Sequence, residues 1–292
     1  MTDSLRDWLD VAEGRLRSAN VHFGHGTANA RDESAWLLAH VLRLRHEELA
    51  RSWNRALTAR ERSRVERLLA ERARTHKPLA YLIREAWLGD HRFYVDERVI
   101  VPRSFIAELL RERLRPWVSR PVKRALDLCT GSGCLAILLA LTFRRAAIDA
   151  TDVSAAALAV ARKNVAAYRL GRRIRLARAD LFSGIGREQY DLIVANPPYV
   201  GASAMRKLPL EYRHEPRTAL AGGADGLAFV RRILNEAAEF LRPGGWLVVE
   251  VGHNRRGVER AFPRLPFIWA ETSAGDDCVF LVSREALYNT RP

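Results

Sequence analysis

From Lys123 to Ser283 short β-prone runs alternate with helical stretches, and the last two runs are separated only by Ser273 to Asp276. Strand-like runs are expected at 124–129, 147–152, 174–179, 190–195, 246–251, 267–272 and 277–283, with helices near 133–143, 155–169, 226–241 and 255–262. Alternation of this kind is the pattern of an α/β doubly wound parallel sheet. A four-residue link is too short for a crossover, so the final pair must be antiparallel.

The ends of the first four strands carry the chemistry. Asp127-Leu128-Cys129-Thr130-Gly131-Ser132-Gly133-Cys134 follows the first. Its glycines let the backbone turn sharply and approach a ligand, and the next helix presents free N–H groups. The spacing Gly131-x-Gly133-x-x-Ala136 also fits a dinucleotide loop, which would place pyrophosphate on the helix start. An acidic Asp127 beside the loop suits the cationic methionine end of S-adenosylmethionine better. Asp152 ends the second strand, 19 residues after Gly133, where a carboxylate can accept both ribose hydroxyls. Asp180 ends the third and can accept from an adenine amine, with Leu181 and Phe182 flanking the ring. Each acid alone would pass as a turn residue or cap. Together they favour S-adenosylmethionine over NAD.

The fourth strand, Tyr190 to Ala195, runs into Asn196-Pro197-Pro198-Tyr199. Neither proline can donate to a ladder, so the strand stops there. A polar amide is left at the carboxyl end of a central strand, where open α/β sheets bind ligands. The Asn196 carbonyl can accept one hydrogen of a planar NH2 group and the Pro197 carbonyl the other. Tyr199 offers a ring face for a flat substrate. This motif resembles that of methyltransferases acting on amide or amino nitrogen.

Residues 1–85 read as a small helical domain. Leu5, Trp8, Leu9 and Ala12 share a face. Asp32 is the expected cap of a second helix through Trp36, Leu37 and Val41, and Thr58 with Glu61 makes a capping box before Val65, Leu68 and Leu69. The loop Val21 to Thr27 holds His22 and His25, which read as packing residues because no third metal ligand accompanies them. Residues 86–102 read as a β-hairpin linker turning at Gly89-Asp90. A helix capped by Ser104 and reaching about Pro116 opens the catalytic domain, 103–292.

The formal charge is +14, but only four of the 48 basic residues are lysines, leaving 44 arginines, and no basic run is interleaved with aromatics. The charge fits a nearby polyanion without requiring a base-stacking surface. Three cysteines, Cys129, Cys134 and Cys278, have neither a paired framework nor a zinc spacing. No metal set is expected. The first ten residues lack a signal-like apolar run and no stretch has membrane-spanning length, so a cytoplasmic protein with reduced thiols is expected.

The order of these motifs resembles the protein glutamine methyltransferases over nearly the whole chain. The resemblance includes Val101-Pro102-Arg103, the glycine loop, Asn196 to Tyr199, Glu215-Pro216 and Gly222-Gly223-Ala224-Asp225-Gly226-Leu227. It implies a helical substrate-recognition domain, a hairpin linker and a Rossmann-like catalytic domain. It also implies cofactor contacts from Asp127, Cys129, Thr130, Gly131, Ser132, Gly133, Asp152, Asp180, Leu181 and Asn196, and substrate contacts from Asn196, Pro197, Pro198 and Tyr199. The wider family has glycine where Cys129 stands. The run from Cys129 to Cys134, together with Phe23 to Thr27, Phe93 to Arg98 and Glu211 to Pro216, is similar to the branch that methylates ribosomal protein L-three, the third protein of the large subunit. The implied acceptor is that protein, alone or within an assembling ribosomal particle that contains RNA.

Direct in-line methyl transfer to a glutamine amide is the expected reaction, driven by alignment and by two carbonyl acceptors as charge develops on nitrogen. His214 and Glu215 are candidates to shape the pocket or accept the released proton, with loop packing as the alternative. Other readings are methylation of peptide release factors, methylation of a flipped adenine, and a non-catalytic RNA-binding assembly factor.

Overall fold

The computed structural model describes residues 4–186 and 188–290; the outermost positions of the two expected domains, 1–3 and 291–292, lie outside the described residues. Contacts divide the chain into two units, Met1–Ala86 with Leu208–His214, and Trp87–Lys207 with Glu215–Pro292.

The first unit holds α1 (Leu5–Ser18), α2 (Ala30–Leu42), α3 (His46–Arg51), α4 (Ala59–Thr75) and α5 (Leu79–Ile83). Leu5, Leu9, Ala12 and Leu16 form the buried stripe of α1, and Val65, Leu68 and Leu69 that of α4. The Thr58–Glu61 capping box is present with both hydrogen bonds. The α2 cap differs from expectation. Asn29 accepts from the Asp32 N–H at 2.9 Å, and Asp32 lies inside the first turn. Helix-permissive Ala30 and Arg31 let the helix begin earlier, and Asn is as good a cap as Asp. Asp32 there complements the positive helix end. In the Val21–Thr27 loop, His25 is buried with its ring 4.5 Å from that of Tyr212. No third ligand residue joins it and His22 among the described residues.

Leading into the second unit, β1 (Ala86–Leu88), which starts at the boundary residue Ala86, and β2 (His91–Phe93) turn at Gly89-Asp90. The β-character expected as far as residue 102 stops at Phe93. Beyond it side chains take over the pairing groups. Asp96 accepts from the Tyr94 hydroxyl and the Arg98 guanidinium, while Glu215 accepts the Val101 N–H. The next helix, α6 (Ile106–Arg111), is shorter than expected, because Arg113 and Leu114 adopt left-handed backbone angles. Ser104 still accepts the Ile106 N–H at 3.3 Å, but the helix cap position itself is Phe105.

The sheet contains β3 (Arg124–Leu128), β4 (Ala147–Asp152), β5 (Ile174–Arg178), β6 (Tyr190–Ala195), β7 (Leu241–Glu250), β8 (Ile268–Thr272) and β9 (Gly275–Ser283). Their spatial order is β5-β4-β3-β6-β7-β9-β8. The five from β3 to β7 are parallel and β9 is antiparallel to both its neighbours. The fold matches the sequence expectation. Helices α7 (Cys134–Thr142), α8 (Ala155–Ala167), α9 (Ala202–Met205), α10 (Ala228–Phe240), α11 (Arg255–Ala261) and α12 (Arg284–Asn289) complete the unit. Apolar residues of the sheet divide between two cores. Ala125, Leu192, Val194 and Val248 pack on one side, and Leu126, Leu128, Ile193 and Val249 on the other, as alternation across a doubly covered sheet requires. The order reverses between β3 and β6, which opens a crevice at their carboxyl ends. No helix among the described residues is long and apolar enough to cross a membrane.

Candidate active site

Strand register fixes which residues meet at that crevice. Leu128 is level with Thr151 of β4 and with Ala195 of β6, and Ala195 is level with Val249 of β7. The next residue of each strand therefore lies in one row: Asp152, Cys129, Asn196 and Glu250. Three of these were expected from sequence and Glu250 was not. It is a lone acid inside the apolar run Trp246 to Val251.

The glycine loop is organised by two carboxylates. Asp127 is fully buried on β3. Its Oδ2 accepts from the Thr130 hydroxyl at 2.5 Å and from the Ala136 N–H at 3.0 Å. Its Oδ1 is buried with no hydrogen-bond partner among the described residues. Burial pushes the Asp127 carboxyl up to about 7, against the pull of those two donors. Asp152 accepts the Gly131 N–H at 2.9 Å and the Ser154 N–H at 2.8 Å, and burial raises it as well. Gly133 has φ 80°, and a Cβ there would lie 3.1 Å from the Ala161 Cβ, so glycine lets α7 and α8 approach. Cys129 is also left-handed, at φ 57°. A non-glycine residue held this way costs about 1 kcal/mol or more. Glycine would take this angle without that strain.

At the third strand the side chains are placed differently from expectation. Asp180 lies two residues past β5 and is gripped by both Arg232 Nη atoms, at 2.9 and 3.0 Å. Leu181 is buried with φ 54°. Phe182 is buried and stacks on Phe240 at 4.6 Å, so it belongs to the core and does not flank a ligand ring. An aromatic beside a turn reads the same in sequence whether it faces a ligand or a helix.

The Asn196–Tyr199 segment is clamped from behind. Val200 donates to the Leu220 carbonyl and Gly222 donates to the Val200 carbonyl, both at 2.9 Å. A Cβ on Gly222 would lie 2.7 Å from the Pro198 oxygen, and one on Gly226 2.4 Å from the Tyr199 oxygen. The glycines of residues 222–226 are thus required by the motif they hold. The turn at Gly226 also delays α10 to Ala228. The Tyr199 ring lies against Gly252, where a Cβ would meet it at 2.8 Å. Its hydroxyl is 3.5 Å from Glu250 Oε1.

Glu250 is buried, and its Oε2 accepts from the Ser104 hydroxyl at 2.6 Å and the Phe105 N–H at 2.9 Å. Burial pushes it up to about 7. A carboxyl raised in the folded state contributes stability that is complete below its unfolded value and fades as pH rises through 7. From the ordinary glutamate value of 4.5 to about 7 this amounts to about 3 kcal/mol. Glu250→Gln should remove that loss while keeping an acceptor for Ser104 and Phe105. Denaturant melts at pH 4.5, 6 and 8 check it: the stability difference between variant and wild type should grow with pH, and a constant difference would refute the assignment.

Glu215 does not face the site as a base. It is buried, takes both Arg103 Nη atoms at 2.6 and 2.7 Å, and accepts the Val101 N–H at 2.9 Å. It ties the Val101-Pro102-Arg103 segment to the Glu-Pro turn. His214 belongs to the helical unit, where its Nε2 meets the Thr75 carbonyl at 2.9 Å. Sequence alone could not separate these anchoring roles from proton transfer, since both need a polar residue near the motif. A cavity of about 250 Å³ between Trp117, Arg120, Asp191 and Trp246 adjoins the amino ends of β3 and β6, away from this row.

Residues 106–210 match the Methyltransferase small domain, and residues 7–83 match the PrmC N-terminal domain. The chain is 53% identical to the ribosomal protein uL3 glutamine methyltransferase of Neisseria meningitidis serogroup A, over 97% of this chain and 94% of that one. It is 51% identical to the protein of the same description from Bordetella pertussis, over 97% and 96%. Among solved structures, a methyltransferase from Pyrococcus furiosus superposes with a TM-score of 0.51 at 18% identity, over 76% of this chain and 98% of that one. The catalytic domain of hMettl16 in complex with an RNA hairpin does so at 0.52 and 17%, over 77% and 81%. At such identity these two establish the shared fold.

Proposed function

This chain belongs to the ribosomal protein uL3 glutamine methyltransferases, and we propose that it methylates the side-chain amide nitrogen of a glutamine in uL3, the L-three protein, with S-adenosylmethionine as donor. The observation that carries the reading is the row Asp152, Cys129, Asn196 and Glu250, which sets an amide acceptor between a glycine-loop cleft and a buried acid. When bound, S-adenosylmethionine supplies an electrophilic methyl group. The residues present suit it. The unpartnered, buried Asp127 Oδ1 calls for a donor or a cation, which an α-amino group is. A cation there would also reverse the upward shift of Asp127. Asp152 keeps lone pairs for ribose hydroxyls beyond its two backbone bonds. Cys129 to Gly133 contribute backbone, Leu181 contributes backbone beside an adenine, and Asp180 accepts from its amine only while shared with Arg232.

The acceptor amide is held by the Asn196 Oδ1 and the Pro197 carbonyl, one hydrogen each. Both oxygens accept more strongly as the nitrogen gains positive charge, so they favour the transition state over the ground state. Pro197 and Pro198 are buried, which fixes those oxygens before substrate arrives. Tyr199 covers the flat amide with its ring, steadied by Gly252 and Glu250. The helical unit, with its 208–214 segment, selects the protein acceptor in this reading. Exchanging it for that of a release-factor-directed relative should redirect methylation while leaving cofactor affinity within about twofold; unchanged acceptor choice would place selection in the catalytic unit. The ribosomal acceptor implies a cytoplasmic setting.

Methyl transfer from labelled S-adenosylmethionine to uL3, to release factors and to DNA, followed by mass spectrometry, tests the function. Label on a uL3 glutamine is expected; label confined to DNA or release factor overturns it. Asp152→Ala should weaken cofactor binding by about 1–3 kcal/mol, the cost of losing a charged hydrogen-bond partner. Calorimetric titration reads this, and unchanged affinity in the folded variant would mean that the ribose is held elsewhere.

A further inference from the structure

His253 lies 24 residues before the adjacent pair Asp277 and Cys278, and no local spacing marks the three as ligands. Topology brings them together. Val251 donates to the Cys278 carbonyl at 2.8 Å, and Glu250 is level with Val279 in the β7–β9 ladder. Cys278 therefore lies across from Val251, with Asp277 one residue before it and His253 two residues beyond Val251 in the loop after β7. This is the one group of three or more His, Cys, Asp or Glu side chains at metal-binding separation among the described residues.

The donor triangle has the size of a tetrahedral face. His253 Nδ1 is 2.9 Å from Asp277 Oδ1 and 3.5 Å from Cys278 Sγ, and Sγ is 3.3 Å from Oδ1. A tetrahedral zinc ion with its usual bond lengths would set these edges at about 3.3, 3.6 and 3.5 Å. Closing the site requires movements of a few tenths of an ångström. One imidazole, one carboxylate and one thiolate form a mixed N, O, S set, which suits zinc over the harder magnesium or calcium. The exposed imidazole gives an entry path, while the buried sulfur and the ladder fix the floor.

We propose that His253, Asp277 and Cys278 form a zinc-binding site with a fourth position open to water or a further oxygen ligand. Binding moves the Cys278 thiol proton to solvent and leaves a thiolate on the ion. The ion ties the loop after β7 to the start of β9. That loop includes Gly252, which supports the Tyr199 ring, so occupancy braces the acceptor side of the cleft. The site is separate from the methyl-transfer groups, and the proposal stands whether or not the acceptor is uL3.

Cobalt(II) titration of the full chain, freed of metal, tests it. One equivalent should give a sulfur-to-cobalt charge-transfer band and intense visible bands of tetrahedral cobalt, and zinc should displace both. Cys278→Ser should abolish the charge-transfer band. His253→Ala, a change at an exposed side chain, should lower affinity by more than the roughly 10–100-fold that loss of an outer-shell partner costs. Zinc should also raise the melting temperature of wild type and not of His253→Ala. Absence of the charge-transfer band in wild type, its persistence in Cys278→Ser, or equal zinc affinity in His253→Ala would each overturn the proposal.

Discussion

Asn196→Ala should slow methyl transfer to glutamine by about 10²–10³, the usual cost of removing one preorganised polar contact from a transition state. Cofactor affinity should change little, because Asp127, Asp152 and the glycine loop are untouched, and the Pro197 carbonyl should still hold one amide hydrogen. The register makes this separation testable. Asn196 leaves β6 level with Cys129, yet the groups that organise the loop are on β3 and β4. Asn196→Asp is the sharper variant. It keeps an acceptor oxygen of similar size and adds a charge beside the cationic donor. That charge should tighten the ground state and raise the transfer barrier, since the cation is dispersed as the methyl moves. Single-turnover rates at saturating cofactor read both variants, with folding checked by circular dichroism. A wild-type rate from Asn196→Ala would sink the proposed mechanism and leave the fold intact.

Much of this site is legible in the chain because a parallel sheet converts sequence order into spatial order. Once Leu128, Thr151 and Ala195 are level on adjacent strands, the residues that follow must be neighbours. The strand ends are marked by what stops them: a glycine loop after β3, an acid on β4 and two prolines after β6. Glu250 was passed over because the apolar run continues past it to Val251, without such a stop. The roles of Glu215 and of residues 222–226 were hidden for another reason. Their partners, Arg103 and the backbone of Pro198 and Tyr199, are distant in sequence, and no periodicity reports a clamp between loops. The loop after Asn196–Tyr199 presents the same difficulty. It reads as one excursion, but Leu208–His214 falls in the unit formed by the amino-terminal helices.

Arg72 helps to anchor that segment through Glu211, and its loss should strongly destabilise the helical unit. Its side chain is 1% exposed. Nε donates to Glu33 at 2.7 Å, Nη1 to Glu211 at 3.1 Å and Nη2 to the His22 carbonyl at 2.8 Å. The two acids respond differently to burial. Glu33 is pushed up by desolvation despite Arg72. Glu211, though burial opposes it, is held below its ordinary value by the His22 N–H, with Arg72 and His76 adding to the pull. Arg72→Met fills the volume and strands both carboxylates without their cation. Breaking a buried ion pair in this way costs about 3–5 kcal/mol. For a chain of this size that is a fall of roughly 10 °C in melting temperature. Trypsin should then cut after Arg206 or Arg213 far faster than in wild type, as the 208–214 segment loses its anchor. Adding Glu33→Gln and Glu211→Gln to Arg72→Met should recover part of the loss, because neutral groups no longer need the guanidinium. If the single variant melts within about 1 °C of wild type and resists trypsin equally, the buried cation is not what fastens this segment.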